Sequence, residues 1–168
     1  MQHQAATHDF LTGLYNRRYL DEFFQREAAR ALREQAPIAV VMLDLDHFKV
    51  LNDTYGHPLG DEVLCNLAGF LRGRLRESDA VFRLGGEEFL LILPGVATDE
   101  ALGLVSRIGQ ELAGQPLPSR RGPLSITFSA GLVEYPRQAA SLDQLLALAD
   151  QALYRAKHAG RNRVCSVA

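Results

Sequence analysis

"FRLGGEEFLLILP", Phe82–Pro94, sets two glycines and two acids between two apolar runs. The flanking runs predict a β-hairpin with Gly85-Gly86 as its two-residue turn, because that turn needs positive φ angles. Glu87 and Glu88 then open the second strand. A carboxylate there must meet water, a cation or a donor, since burying it unpaired is costly. The rest of the chain has to supply what those acids hold.

Upstream, "IAVVMLDLD", Ile38–Asp46, is a continuous apolar and β-branched run. It predicts a strand buried on both faces, with Asp44 and Asp46 at its exit. Acidic ends on two adjacent strands, at Asp44 and Glu87, would converge on a hard divalent cation, which takes oxygen ligands and keeps water or phosphate in its other positions. For either acid alone, a solvated strand end is an equally good account.

Outward from these strands, apolar residues recur at helical spacing. Leu20, Phe23, Phe24, Ala28, Ala31 and Leu32 predict a helix over Arg17–Glu34, ended before Pro37. "HFKVLND" predicts a short helix with Asp46 as its N-cap, and Pro58 starts a second helix that runs to about Arg74 on Leu59, Val63, Leu64, Leu67, Ala68 and Leu71. Thr98 to Ala113 is helical again. "LSITFSAGLVEY" alternates as a strand, with Gly131 as a bulge. A last helix runs from the N-cap Ser141 to Gly160, and "RVCSV" closes as a strand. Neighbouring antiparallel strands with crossover helices make an α+β fold on a mixed sheet.

Composition bounds the function. The 168 residues are 47% hydrophobic and 23% charged, enough for one globular domain with a sizeable core, and the expected unit is a single domain over residues 1–168. A net charge of -2 gives no general attraction to nucleic acid or anionic membranes, so any phosphate binding is local. Cys65 and Cys165 lack paired-cysteine metal or redox spacing and read as reduced core thiols. The longest apolar run, Pro37–Leu43, is too short to cross a bilayer, and the start lacks an export pattern. The expectation is a soluble, cytoplasmic module with no direct membrane insertion, one that can be cut from a longer signalling protein.

"HFKVLNDTYGHPLGD", His47–Asp61, gathers Lys49, Asn52, His57 and Asp61: a cation for phosphate beside amide and carboxylate partners for a base edge. Taken singly, Asp61 also suits the first turn of its helix and Lys49 a solvated surface. "YRAKHAGRNR" adds Lys157, Arg161 and Arg163, which equally complement a helix C-terminus. Asp46 reads as a cap, His47 and His158 as exposed, Tyr15, Tyr19 and Tyr154 as packing or capping groups, and His3 and His8 as unclustered. Arg83 reads as a structural ion-pair partner.

Together, "RLGGEEF", "DLDHFKVLNDTYGHPLGD", "DFLTGLYNRR" and "ALYRAKHAGRNR" resemble the GGDEF family of diguanylate cyclases, in the family's order and over nearly the whole chain. Glu87 stands where the family's name has Asp, a variant the family accepts. The resemblance implies a palm-like nucleotide-cyclase fold, an α/β sandwich whose central, mixed and largely antiparallel sheet is flanked by helices. It implies an enzyme that condenses two GTP molecules into cyclic di-GMP and two pyrophosphates, in a homodimer of facing protomers driven by an upstream sensor. The implied cofactor is Mg²⁺ or Mn²⁺.

Position by position, the resemblance makes Asp44, the carbonyl of Leu45 and Glu87 metal ligands, with Glu88 in support. It makes Glu87 the general base as well, and Lys49 a stabiliser of phosphate charge. Asn52 and Asp61 match the guanine readers, His57 a further substrate contact, Lys157 and Arg161 phosphate cations, and the main chain of Phe48 lies beside the phosphates. "RESD" matches the family's inhibitory pattern, so Arg76 and Asp79, with Arg107 as a secondary arginine, are expected to bind the product. An isolated surface ion pair is the plain account of the same residues. A catalytically silent receptor for GTP or cyclic di-GMP is the alternative to an active cyclase. Intact Asp44, Glu87, Asn52, Asp61 and Lys49 weigh against it.

Overall fold

A computed structural model describes residues 6–167, so His3 and the ends of the expected 1–168 domain lie outside the described residues. In chain order the elements are β1 (Tyr15–Asn16), α1 (Arg17–Glu34), β2 (Ile38–Leu45), α2 (Phe48–Tyr55) and α3 (His57–Arg72). β3 (Ala80–Gly85), β4 (Glu88–Pro94), α4 (Thr98–Gly114), β5 (Phe128–Tyr135), α5 (Leu142–His158) and β6 (Arg163–Ser166) follow. The sheet order is β1-β3-β4-β2-β5-β6. The β3–β4, β4–β2 and β2–β5 pairs are antiparallel, and the two edge pairs are parallel. This is the expected mixed, largely antiparallel sheet flanked by helices.

β2 lies at the centre because both of its faces are apolar, and all eight of its residues are buried. Ala39, Val41, Leu43 and Leu45 join α3 and α4 in one core layer. Ile38, Val40 and Met42 join α1 and α5 in the other. Period-two alternation splits one strand between two cores, which makes the sandwich. No helix among the described residues is long and apolar enough to cross a membrane. Cys65 and Cys165 are free and half-buried, nearer the margins than the centre of the core.

Several expectations are corrected. The hairpin turn is not Gly85-Gly86: Gly85 pairs with Glu88, so Gly86 and Glu87 form its tip, and a bulge between Arg83 and Gly85 absorbs the shift. Glu87 therefore sits in the turn and β4 begins at Glu88. Leu32 is 61% exposed and leaves the apolar face of α1. α3 stops at Arg72. Tyr154 is exposed and stacks on His158. Gly131 is no bulge, since it pairs in register with Met42 and Cys165. A Cβ there would lie 2.1 Å from the Ala149 carbonyl oxygen and 2.2 Å from the Leu153 nitrogen, so glycine lets α5 rest directly on β5.

Asp46 is not a cap either. The residue before α2 is His47, in a left-handed conformation with no capping side-chain bond. The Asp46 carboxylate instead accepts from Thr127 Oγ1 and Ser129 Oγ, at 2.6 and 2.7 Å, and from the Asn162 amide at 3.0 Å. Local capping lost to donors more than eighty positions away.

Candidate active site

The antiparallel register of β2 and β4 sets Asp44 directly opposite Glu88. The next residue, Leu45, donates its amide to the Glu87 carbonyl at 3.4 Å, which draws the hairpin tip against the exit of β2. Arg83 fastens that tip: its Nε donates to the Gly86 carbonyl at 3.0 Å and its Nη1 pairs with Asp9 at 3.2 Å. Asp9 in turn accepts from the amide and hydroxyl of Thr12, both at 2.8 Å. Arg83 is thus the ion-pair partner the sequence suggested. Its partner Asp9 was not anticipated, because 74 residues separate the two.

Asp44 is the buried member of the acidic group. Its Oδ2 accepts from the ammonium of Lys157, at the far end of α5, while its Oδ1 is enclosed without any partner. Burial pushes the Asp44 carboxyl up from its ordinary range, and Glu87 and Asp46 add to the shift against the opposing pull of Lys157. Glu88 is likewise raised, by burial first and then by Asp44, Asp150 and Glu87. Negative charge is therefore crowded at this end of the sheet and only partly neutralised by one lysine.

Those residues fit a divalent cation. The orphaned Oδ1 of Asp44 is a hard oxygen with an unused lone pair, and the crowded acids would be relieved by added positive charge. Among the described residues no three His, Cys, Asp or Glu side chains form a ready-made cage. Asp44, Leu45, Glu87 and Glu88 occupy adjacent places at the sheet end.

The expected nucleotide residues stand on α2, α3 and the loop after α5. Phe48 is buried at the start of α2, and Lys49 is exposed beside it. Asn52 is half-buried, with its Oδ1 enclosed and unpartnered. Gly60 on α3 is pressed against that amide so closely that a Cβ would lie 1.9 Å from the oxygen. His57 and Asp61 are exposed on the first turns of α3. Among the described residues, no side-chain hydrogen bond or salt bridge engages Lys49, Asp61 or Arg161, and none ties Asn52 or Asp61 to the acids.

Arg76 and Asp79 form a separate cluster. The Arg76 guanidinium bonds the Asp79 carboxylate at 2.7 Å, and the Arg76 amide donates to the same group at 2.8 Å. A further guanidinium bond, to the Pro94 carbonyl at 2.7 Å, ties the turn before β3 to the end of β4. Asp79 is nearly enclosed, with its side chain 1% exposed against 55% for Arg76, so this is no freely solvated pair. Arg107 joins both residues around a hollow of about 280 Å³ that also meets Arg74, Asp99 and Glu100.

The sequence family described as diguanylate cyclase, GGDEF domain, matches residues 6–163. The diguanylate cyclase DgcP of Pseudomonas aeruginosa is 44% identical over 163 residues, covering 97% of this chain and 24% of that protein. The chain spans less than half the length of the curated relatives it matches. A crystal structure of the coiled coil and GGDEF domain of DgcB from Caulobacter crescentus, in complex with c-di-GMP, superposes with a TM-score of 0.88 at 33% identity, over 98% of this chain and 87% of that one. The active GGEEF domain of a diguanylate cyclase from Vibrio cholerae gives 0.84 at 35% identity, over 92% and 98%.

Proposed function

The chain belongs to the GGDEF family of diguanylate cyclases, and from that premise we propose that it condenses two GTP molecules into cyclic di-GMP with release of two pyrophosphates. The observation that carries this reading is the buried, unpartnered Oδ1 of Asp44 beside the turn that bears Glu87. A neighbour with Glu at the same place in its motif is described as active, which supports Glu87 in the catalytic role.

In each half-reaction the 3′-hydroxyl of one GTP attacks the α-phosphorus of the other. A new P–O bond forms, the bond to pyrophosphate breaks, and the hydroxyl proton leaves to a base. Glu87 is that base, carried at the hairpin tip directly after Gly86. Asp44, the Leu45 carbonyl and Glu87, supported by Glu88, would hold Mg²⁺ or Mn²⁺, which when bound supplies charge neutralisation and lowers the pKa of the hydroxyl. Asn52 and Asp61 orient guanine, His57 contacts the substrate, and Lys49, Lys157, Arg161 and the main chain of Phe48 hold the phosphates. Positioning and electrostatics carry most of phosphoryl transfer, so side chains that make no ion pair among the described residues, as at Lys49 and Arg161, suit the task.

Each protomer brings one GTP, so turnover needs a homodimer, and an upstream sensor in the longer cytoplasmic protein would pair the protomers. Arg76, Asp79 and Arg107 bind the product as an inhibitor. The complex of a neighbour with c-di-GMP supports product recognition within this family. Arg76→Ala should relieve inhibition by added cyclic di-GMP, and undiminished inhibition refutes the assignment.

The direct test is incubation with GTP and Mg²⁺ or Mn²⁺, with mass spectrometry for cyclic di-GMP and an assay for pyrophosphate. Glu87→Ala should abolish both products and leave the circular dichroism spectrum intact. A protein that binds GTP but makes no product, even when dimerised artificially, is a receptor and not a cyclase.

A further inference from the structure

The exit of β2 carries a second acid that the proposed chemistry does not use. Asp46 has both carboxylate oxygens engaged: Oδ1 by Ser129 Oγ, and Oδ2 by Thr127 Oγ1 and the backbone amide of Asn162. The Asp46 amide also donates to the Thr127 carbonyl at 2.9 Å. Three of these four bonds join the residue that follows β2 to the beginning of β5 and the residue just before it. The bond to Asn162 is different, since it reaches across 116 positions to the loop after α5.

That loop is an unusual piece of backbone. Arg161 and Asn162 both have left-handed φ angles, 63° and 49°. Residues with a side chain adopt two such conformations in succession only where their surroundings hold them there. The Arg161 amide is fixed on the Ala156 carbonyl at 3.0 Å, and the Arg163 Nε closes on the Arg161 carbonyl at 3.0 Å. Asp46 supplies the third restraint, on the next amide along. The Arg161 backbone is thus held on both sides while its side chain is exposed and, among the described residues, makes no ion pair.

We propose that Asp46 is a positioning residue for phosphate recognition: its bond to the Asn162 amide holds the left-handed turn that presents Arg161 to the outer phosphates of the nucleotide. The inference rests on the reading of Arg161 as a phosphate cation. An arginine on a loose loop would still attract phosphate, but binding would then have to order the loop and would lose affinity accordingly. The tether settles that ordering during folding. A carboxylate suits the task because its two oxygens can take the strand hydroxyls and the distant amide together.

A positioning role for Asp46 differs from a purely structural one in a measurable way. If Asp46 only fastened β2 to β5, its loss would weaken every guanine nucleotide alike. As a holder of the Arg161 turn, its loss scales with phosphate number. The test uses the 3′-deoxy forms of GTP, GDP and GMP, which cannot react, with binding measured by calorimetry in the presence of Mg²⁺. Asp46→Ala should weaken triphosphate binding about tenfold, the cost of one charge-assisted contact left unordered, and monophosphate binding by less than about twofold. Arg161→Ala should show the same pattern, and the double variant should lose little more than either single one. Asp46→Asn, with its amide turned so that the oxygen faces Asn162 and the NH₂ faces Ser129, should bind like the wild type. If the alanine variant does not fold, Asp46→Ser keeps a hydroxyl near Thr127 and Ser129 but is too short to span to Asn162, and the same pattern is expected.

Amide hydrogen exchange of the nucleotide-free protein tests the tether by itself. Protection of the Asn162 amide should fall by about tenfold or more in Asp46→Ala and persist in Asp46→Asn. Unchanged exchange at Asn162, equal weakening of all three nucleotides, or additive losses in the double variant would each overturn the inference. A wild type that binds none of the nucleotides removes the phosphate reading and this inference with it, a result readily told apart from a failed tether, which the exchange measurement reports alone.

Discussion

Lys157 and Asp44, 113 positions apart, meet as an ion pair at the end of the sheet, with the ammonium on Oδ2 and the other carboxylate oxygen enclosed and unpartnered. The lysine neutralises part of the charge that a divalent cation would neutralise more fully. Lys157→Met should destabilise the metal-free protein. Breaking a fully buried pair costs about 3–5 kcal/mol. Lys157 is one-third exposed, so a loss of about 1–2 kcal/mol is expected after allowing for solvent screening. Added Mn²⁺ should then stabilise the variant more than the wild type in thermal unfolding, because neither oxygen of Asp44 then has a protein donor. Equal stabilisation of the two would count against a cation on Asp44.

Glu88 titrates in the opposite sense from an ordinary paired acid. Its carboxyl is raised, by burial first and then by Asp44, Asp150 and Glu87. Its contribution to stability is therefore complete below the unfolded glutamate value of about 4.3 and is lost as pH rises through the higher folded value. Glu88→Gln in metal-free protein should unfold at a higher temperature than wild type at neutral pH, with the gain disappearing as pH falls below the ordinary glutamate range. A gain that persists there would mean that ionisation of Glu88 is not its source.

Glu134 should behave the other way. Burial alone would raise it, but bonds from the amide and hydroxyl of Thr98, both at 2.8 Å, and from Arg137 leave it lowered. The stability it supplies is present above the ordinary glutamate range and is lost as pH falls through the lower folded value. Because it serves the first turn of α4 as a cap from a neighbouring strand, Glu134→Ala should cost about 1–2 kcal/mol at neutral pH. Denaturant titrations at two pH values check both the size and the narrowing of the difference in acid.

Gly60→Ala should separate nucleotide recognition from folding. The new methyl carbon would fall 1.9 Å from Asn52 Oδ1 and 3.2 Å from the Phe48 ring, and the amide can rotate away where backbone could not. GTP affinity should drop by about tenfold, as for loss of a bidentate base contact, while the unfolding temperature changes little. Unchanged affinity would remove Asn52 from the guanine site.

Gly131→Ala should be far harsher. The clash there is with backbone of α5, at 2.1 and 2.2 Å, and no rotamer relieves it. Lifting the helix off β5 should cost more than about 3 kcal/mol, the upper end for overpacked cores. Soluble, fully folded variant protein with wild-type stability would contradict the packing described.

The residues by themselves determined most of the secondary-structure elements. The unbroken apolar run of β2, the helical stripes of α1, α3, α4 and α5, and the acid–glycine hairpin are local patterns, and period and turn chemistry are properties of adjacent residues. Arg83 as an ion-pair partner and Arg76 with Asp79 were also legible, because type and short spacing suffice for them. What the tertiary structure decided involved residues far apart in the chain. It set the register that places Asp44 against Glu88, moved the hairpin tip to Gly86-Glu87, and gave Asp44 the ammonium of Lys157. It turned Asp46 from a helix cap into a tether for Thr127, Ser129 and Asn162, and it explained Gly131 by the backbone of α5. Partner choice over such separations depends on strand register and helix docking, which the buried core fixes as a whole and no local stretch encodes.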